Sequence, residues 1–213
     1  MSTWASEQLL PRNFSLYQKS FLCIFIFSEL GVDISAKSSY IFVDGYCLFH
    51  TEVFMFTLEC LSYKDKEMIP TKCCHTSVVG GRNISPGFTW SDPPINTKSF
   101  ALTVVDPHPV AKNWVHWFLV NIPFYERRLV EGASRSKSLP PGAKDLINSF
   151  EEMGYGGPAP PRGSGQHPYV ATLYALNVES LKLSVSTSLK QFLSTIEGKV
   201  IADSSVTGYY ERK

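Results

Sequence analysis

A mainly β domain is what this sequence predicts, and three observations carry the expectation. Apolar segments of strand length recur at residues 100–105, 114–122 and 167–176, rich in Val, Phe, Tyr and Leu. Fourteen glycines and fourteen prolines punctuate the chain between such segments. A convincing amphipathic helical pattern occurs once, at residues 188–196, with Gly198 placed to end it. At 213 residues, 44% hydrophobic and with a formal net charge of +1, the chain suffices for one well-cored domain plus an extension. There is no basic excess of the kind that nucleic-acid binding requires, so no nucleic-acid partner is expected.

The first fifty residues fit this picture least. Residues 21–27, FLCIFIF, are apolar but too short to span a bilayer, so no transmembrane segment is expected. Arg12 and Lys19 ahead of them give a signal-peptide outline, but Glu7 is out of place in a basic leader and Ile34-Ser35-Ala36 fits a cleavage site poorly. The reading is a poorly structured extension over residues 1–52, lying ahead of a start at Met55, and a domain over residues 53–213. A leader over residues 1–36 is the alternative. High β propensity predicts an extra strand at residues 40–49.

Cys73 and Cys74 are followed by His75, with no second cysteine pair at zinc-site spacing, and so read as half-buried strand thiols. An odd total of five cysteines without a regular framework points to a reducing, cytoplasmic setting; export would instead permit a Cys60–Cys73 disulfide. Asn83-Ile84-Ser85 has the form of a glycosylation sequon.

Three segments then carry polar side chains into apolar surroundings. The strand at residues 100–105 stops at Asp106, because Pro107 and Pro109 cannot continue a ladder. The run WVHWFLVNI, residues 114–122, is apolar on both faces and so central in a sheet; alternation puts His116 with Trp114, Phe118 and Val120. A buried histidine needs a hydrogen-bonding partner, and Asp106 or a bound anion is of the right kind. Residues 154–169, GYGGPAPPRGSGQHPY, form a stiff loop: Gly156, Gly157, Gly163 and Gly165 open unusual backbone angles, whereas Pro158, Pro160 and Pro161 fix theirs and remove amide donors. A cis X-Pro bond is within reach of such a loop. In the strand that follows, alternation places His167 and Tyr169 on one face with Ala171, Leu173 and Ala175, whose small members leave room for a recess.

Two imidazoles and a phenol satisfy the oxygens of a phosphate well, and Asp106 would orient a histidine or accept from a ligand ammonium. The same residues permit a different chemistry, with Asp106, His116 and His167 as three ligands of an open metal site, although no H-x-x-x-H or H-E-x-x-H spacing supports it. Gly163-Ser164-Gly165 lacks the nucleophile-elbow pattern, and no Gly-rich loop ends in G-K-[ST]. No residue is therefore assigned a catalytic role, and no cofactor or metal is expected.

The order of these motifs resembles the phosphatidylethanolamine-binding protein family, in its bacterial and archaeal branch. The resemblance rests on Asp106-Pro107, on Val115-His116-Trp117 with Asn121-Ile122-Pro123, and on the G-G-P-x-P-P-x-G-x-G-x-H-x-Y run from Gly156 to Tyr169. Ile69-Pro70, the stretch from Gly81 to Pro86, and Ile196-Glu197-Gly198 with Tyr209 flank it, so that it extends from about Val53 to the C-terminus. It implies a large central sheet packed on a smaller sheet, a few short helices, and a small anion pocket at one edge. The pocket side chains would be Asp106, His116, His167 and Tyr169, with Pro107, Ala159, Pro160 and Pro161 shaping its wall. The partner would be a phosphate-bearing small molecule or headgroup, and eukaryotic relatives add inhibition of a kinase or protease as an alternative role. Two departures stand out. His108 occupies the place of the family's second acid, where it either favours an anion or is a solvated loop residue, and Pro168 stands where the family has arginine.

Overall fold

The computed structural model describes residues 38–43, 46–51 and 55–213 apart from Asp92, the first two stretches as backbone strands. The chain divides into two units, Met1–Phe54 and Met55–Lys213. In the first, β1 (Ser38–Val43) and β2 (Tyr46–Thr51) pair antiparallel with Val43 opposite Tyr46. The single strand expected at residues 40–49 is thus a hairpin; between its strands the sequence reads Asp44-Gly45, a strong hairpin dipeptide. The other expectations for residues 1–37 lie outside the described residues.

The second unit contains two antiparallel sheets. The larger has the order β10-β9-β5-β6-β8, built from β5 (Ser99–Asp106), β6 (Trp114–Pro123), β8 (Lys144–Asp145), β9 (His167–Leu176) and β10 (Val200–Tyr210). The smaller has the order β3-β4-β7, built from β3 (Thr57–Cys60), β4 (Phe88–Ser91) and β7 (Arg128–Leu129). Leu58, Phe88, Trp90 and Leu129 of the small sheet pack against Phe100, Leu102, Trp117, Leu119 and Leu173 of the large one to form the main core. The opposite face of the large sheet, with Ala101, Val115, Phe118 and Val120, is covered by Phe192 and Ile196 of helix α1 (Leu189–Ile196) and by Leu146 and Leu181. Burying each of these large apolar side chains contributes roughly 1.5–3 kcal/mol. The predicted mainly β architecture, a large sheet on a smaller one, is what the chain adopts.

The helix also begins where the sequence places it. Ser188 is its N-cap and forms a reciprocal capping box with Gln191, and Gly198 follows its end at φ 70°. Cys73 and Cys74 are not half-buried strand thiols. Cys73 closes a short 3-10 turn (Thr71–Cys73), both residues are fully buried, and both are free, as is Cys60. Every peptide bond of the described residues is trans, including those of the proline loop.

Strand β6 departs from simple alternation, and this positions the site. Trp117 lies opposite Val104 and Val115 opposite Val105, which leaves His116 as the extra residue of a β-bulge. The bulge rotates His116 away from the Phe118–Val120 face. Its ring meets Tyr169 and Phe150 instead, on the side of the main core. The expectation that His116 shares a face with Phe118 and Val120 fails for this reason. A second irregularity occurs near Asn121 (φ 59°), whose amide exchanges hydrogen bonds with the backbone of Leu181.

Candidate functional site

The ends of β5, β6 and β9 bring Asp106, His116, His167 and Tyr169 together, and all four are almost completely buried. Asp106 ends β5, and each of its oxygens has a partner. Oδ1 accepts from the backbone N–H of His108 at 2.9 Å, an Asx turn set by the prolines around it, and Oδ2 accepts from Nδ1 of His167 at 2.6 Å. His167 in turn donates through Nε2 to Ser164 Oγ at 2.9 Å, because the Ser164 hydroxyl gives its own proton to the Pro161 carbonyl at 2.7 Å. Both ring nitrogens of His167 are thus engaged, Nδ1 by a carboxylate and Nε2 by a hydroxyl.

Asp106, His167 and Ser164 have the connectivity of a hydrolase triad but not its proton arrangement. The Ser164 proton faces the Pro161 carbonyl and not His167. Nor is His167 available as a metal ligand, since both ring nitrogens are engaged; among the described residues no three His, Cys, Asp or Glu side chains converge on a point. The three-ligand alternative read from Asp106, His116 and His167 is thus not assembled.

His116 is held differently. Its Nδ1 lies 2.6 Å from the Gly156 carbonyl, and its own carbonyl accepts from the Gly156 N–H at 2.8 Å, so one residue of the glycine loop clamps both ends of the histidine. A carbonyl only accepts, so the proton is on Nδ1 and the lone pair is on Nε2. Burial pushes the ring's pKa down to about 4, against the opposing pull of the Gly156 carbonyl and of Asp106, so His116 is neutral at pH 7. The expectation of a histidine donating twice to an anion holds in geometry for neither ring: both ring nitrogens of His167 are engaged by Asp106 and Ser164, and His116 offers an acceptor.

Tyr169 stands with its ring edge-on to His116, centroids 4.9 Å apart. Its hydroxyl is buried and without a hydrogen-bond partner. Burial, reinforced by the charge of Asp106, raises its pKa well above the ordinary phenol value, so it is a donor at any physiological pH. An orphaned donor of this kind costs about 1–3 kcal/mol in the empty protein, a cost that folding alone does not explain.

The loop around these groups is fixed from below. The side chain of Asn83 accepts from the Gly157 N–H at 2.6 Å and donates to the Tyr155 carbonyl at 3.3 Å, and His75 N–H donates to the Pro158 carbonyl at 3.1 Å. A Cβ on Gly157 would lie 2.1 Å from the Cys73 carbonyl oxygen, so only glycine permits this approach. Pro160 is buried, Ala159 half-buried, and Pro107 and Pro161 exposed. His108 is not merely a solvated loop residue: its ring stacks on His167 at 3.8 Å with a 23° interplanar angle. Pro168 pairs with Tyr209 of β10 and lies beyond the last residue of β9 that faces β5, where no ladder bond to β5 is forfeited. The small residues Ala171 and Ala175 do not border a recess; both are fully buried in the main core.

Three participants were not singled out from sequence as site residues. Ser164 was within reach, since it lies three positions before His167 in a glycine-bounded loop. Asn83 lay inside a recognised motif without a stated role. Phe150, which meets Trp114 at 5.3 Å, His116 at 5.6 Å and His75 at 4.8 Å, had no sequence signal.

A fold of two antiparallel sheets with a buried Asp-His-His-Tyr cluster beneath a glycine-proline loop defines a class of protein. Residues 61–211 match the family model described as phosphatidylethanolamine-binding protein. The chain belongs to this family. It is 38% identical over 151 residues to a UPF0098 protein of Aquifex aeolicus, an alignment that covers 71% of this chain and 85% of the relative. A UPF0098 protein of Methanothermobacter thermautotrophicus is 35% identical over 151 residues, covering 71% and 95%. Among solved structures, Escherichia coli YbcL, described as a member of the mammalian PEBP family, superposes with a TM-score of 0.70 at 34% identity, over 74% of this chain and 99% of its own. No helix among the described residues is long and apolar enough to cross a membrane.

Proposed function

We propose that residues 53–213 form a binding domain for a small phosphate-bearing anion, either free phosphate or a phosphorylated headgroup, held without catalytic turnover and used for regulation. Tyr169 and His116 would touch the ligand, Asp106 and His167 would supply a fixed charge pair behind it, and Pro107, Ala159, Pro160 and Pro161 would form the wall. The observation that carries this reading is the Tyr169 hydroxyl, a buried donor with no protein partner, beside a histidine whose outer nitrogen has none among the described residues. A bound oxyanion accepts from the Tyr169 hydroxyl and removes the cost of leaving it unpaired. The test is an NMR titration of the histidine ring signals with phosphoethanolamine, on the wild type and on His116→Ala. Saturable shifts at His116 and His167 that weaken in the variant are expected. Rings that stay silent up to millimolar ligand would sink the proposal.

A further inference from the structure

Resting on that anion pocket, the hydrogen-bond polarity of its two open groups narrows the ligand. Tyr169 presents a proton and nothing among the described residues receives it. His116 presents the opposite, because the Gly156 carbonyl at 2.6 Å fixes the ring proton on Nδ1 and leaves the Nε2 lone pair without a hydrogen-bond partner among the described residues. The two rings meet edge to face with centroids 4.9 Å apart, which sets both groups in one neighbourhood of the site. A tetrahedral anion with bare oxygens satisfies Tyr169 but sets an oxygen lone pair against that of His116, a buried repulsive contact. An anion with one O–H satisfies both.

From this geometry we infer that the pocket takes an oxyanion carrying its own proton, hydrogen phosphate or a phosphomonoester in its monoanionic form, in preference to sulfate or a phosphodiester. Sulfate has the same shape as phosphate and no proton at neutral pH. A phosphodiester, the state of phosphate in a phospholipid, has none either, whereas a monoester takes one up near pH 6. His116 is thus the specificity-determining residue, acting as an acceptor and remaining neutral in the complex. The groups that face it, Asp106 from β5, Tyr169 from β9 and His75 beyond the 3-10 turn, do not alter this assignment: Asp106 is already engaged by His108 and His167, and the His75 ring is stacked on Phe150.

The experiment is calorimetric titration of the full chain at pH 7.5 with inorganic phosphate, sulfate and dimethyl phosphate in parallel. Phosphate is expected to bind at least about tenfold more tightly than either of the others, the effect of one misdirected buried hydrogen bond. Three affinities within about threefold of one another would overturn the inference and leave the anion pocket standing. No binding of any of the three at millimolar concentration would overturn the pocket itself. The ring 15N shifts of His116 give an independent reading on the wild type: Nδ1 protonated and Nε2 bare, with and without phosphate, supports the inference, and conversion to the imidazolium on binding refutes it. His116→Gln, whose amide can donate as well as accept, is expected to reduce the preference for phosphate over sulfate to about threefold or less. Full retention of the preference in that variant would assign the proton reading to another group.

Discussion

Replacing Tyr169 by phenylalanine removes one oxygen and leaves the ring that packs against His116. Tyr169 is 1% exposed and its buried hydroxyl has no hydrogen-bond partner among the described residues, so removing the oxygen relieves a desolvated donor and takes no internal hydrogen bond with it. In the absence of anion, Tyr169→Phe should therefore be as stable as the wild type or more stable by up to about 2 kcal/mol. For a domain of this size that is an upward shift in Tm of a few degrees. Phosphate affinity should move the other way. A hydrogen bond to a charged group contributes about 1.5–3 kcal/mol, so the dissociation constant should rise roughly tenfold to a hundredfold. Thermal and urea unfolding in anion-free buffer, paired with phosphate titration, measure both quantities on one preparation. Opposite signs are the signature of a donor kept for a ligand. A variant that loses more than about 1 kcal/mol of stability without anion would refute the reasoning, since the hydroxyl would then have a structural partner.

Asp106→Asn leaves an acceptor for the His108 amide but removes the carboxylate charge facing the buried His167 ring, and should cost about 3 kcal/mol in urea unfolding; a loss below about 1 kcal/mol would mean that the Asp106 charge is not what holds His167. Because burial lowers the His116 pKa from 6.5 to about 4, the unfolded chain binds the extra proton between these values. Stability is complete above pH 6.5 and falls by about 3 kcal/mol as pH drops toward 4, a slope that His116→Gln should flatten and that a denaturant series across this window would measure. Gly157→Ala forces a Cβ to within 2.1 Å of the Cys73 carbonyl oxygen and should destabilise the domain by about 3 kcal/mol while abolishing phosphate binding; near-wild-type values for both would show that the loop is not held by this approach. Ser188→Ala should cost about 1 kcal/mol through the lost capping box, without effect on phosphate binding.

The sequence made legible whatever depends on local pattern. Alternation along β9 correctly put His167 and Tyr169 on one buried face, the proline pair correctly ended β5 at Asp106, and the 3.6-residue period ahead of Gly198 located α1. What it could not convey depends on register and protonation. The bulge at His116 changes which face that side chain takes, and a bulge comes from pairing with β5, not from any residue in the WVHWF run. The direction in which His116 and His167 use their ring protons follows from Gly156, Asp106 and Ser164, partners separated from them in sequence by up to 61 residues. Phe150 meets the site from a turn segment whose sequence carries no periodic signal. Burial of Cys73 and Cys74 reflects the short turn in which they sit and the close passage of Gly157 over it.

Asn83 holds the proline loop with both ends of its amide, to Gly157 and to Tyr155. The same nitrogen is the one that an oligosaccharide would be attached to in the Asn83-Ile84-Ser85 sequon. Sugar addition and loop closure therefore compete for one atom. A host that glycosylates nascent chains during secretion would yield a fraction in which the sugar crowds the Asn83 contact with the Tyr155 carbonyl, whereas Asn83→Gln, offered as a routine way to remove the sequon, would displace the contacts to both Tyr155 and Gly157 with a longer side chain. Eliminating Ser85 as the acceptor signal is no simpler, since its hydroxyl receives the Ser134 N–H and its backbone carbonyl the Gly132 N–H. Production in a cytoplasm without oligosaccharyl transfer avoids the conflict altogether.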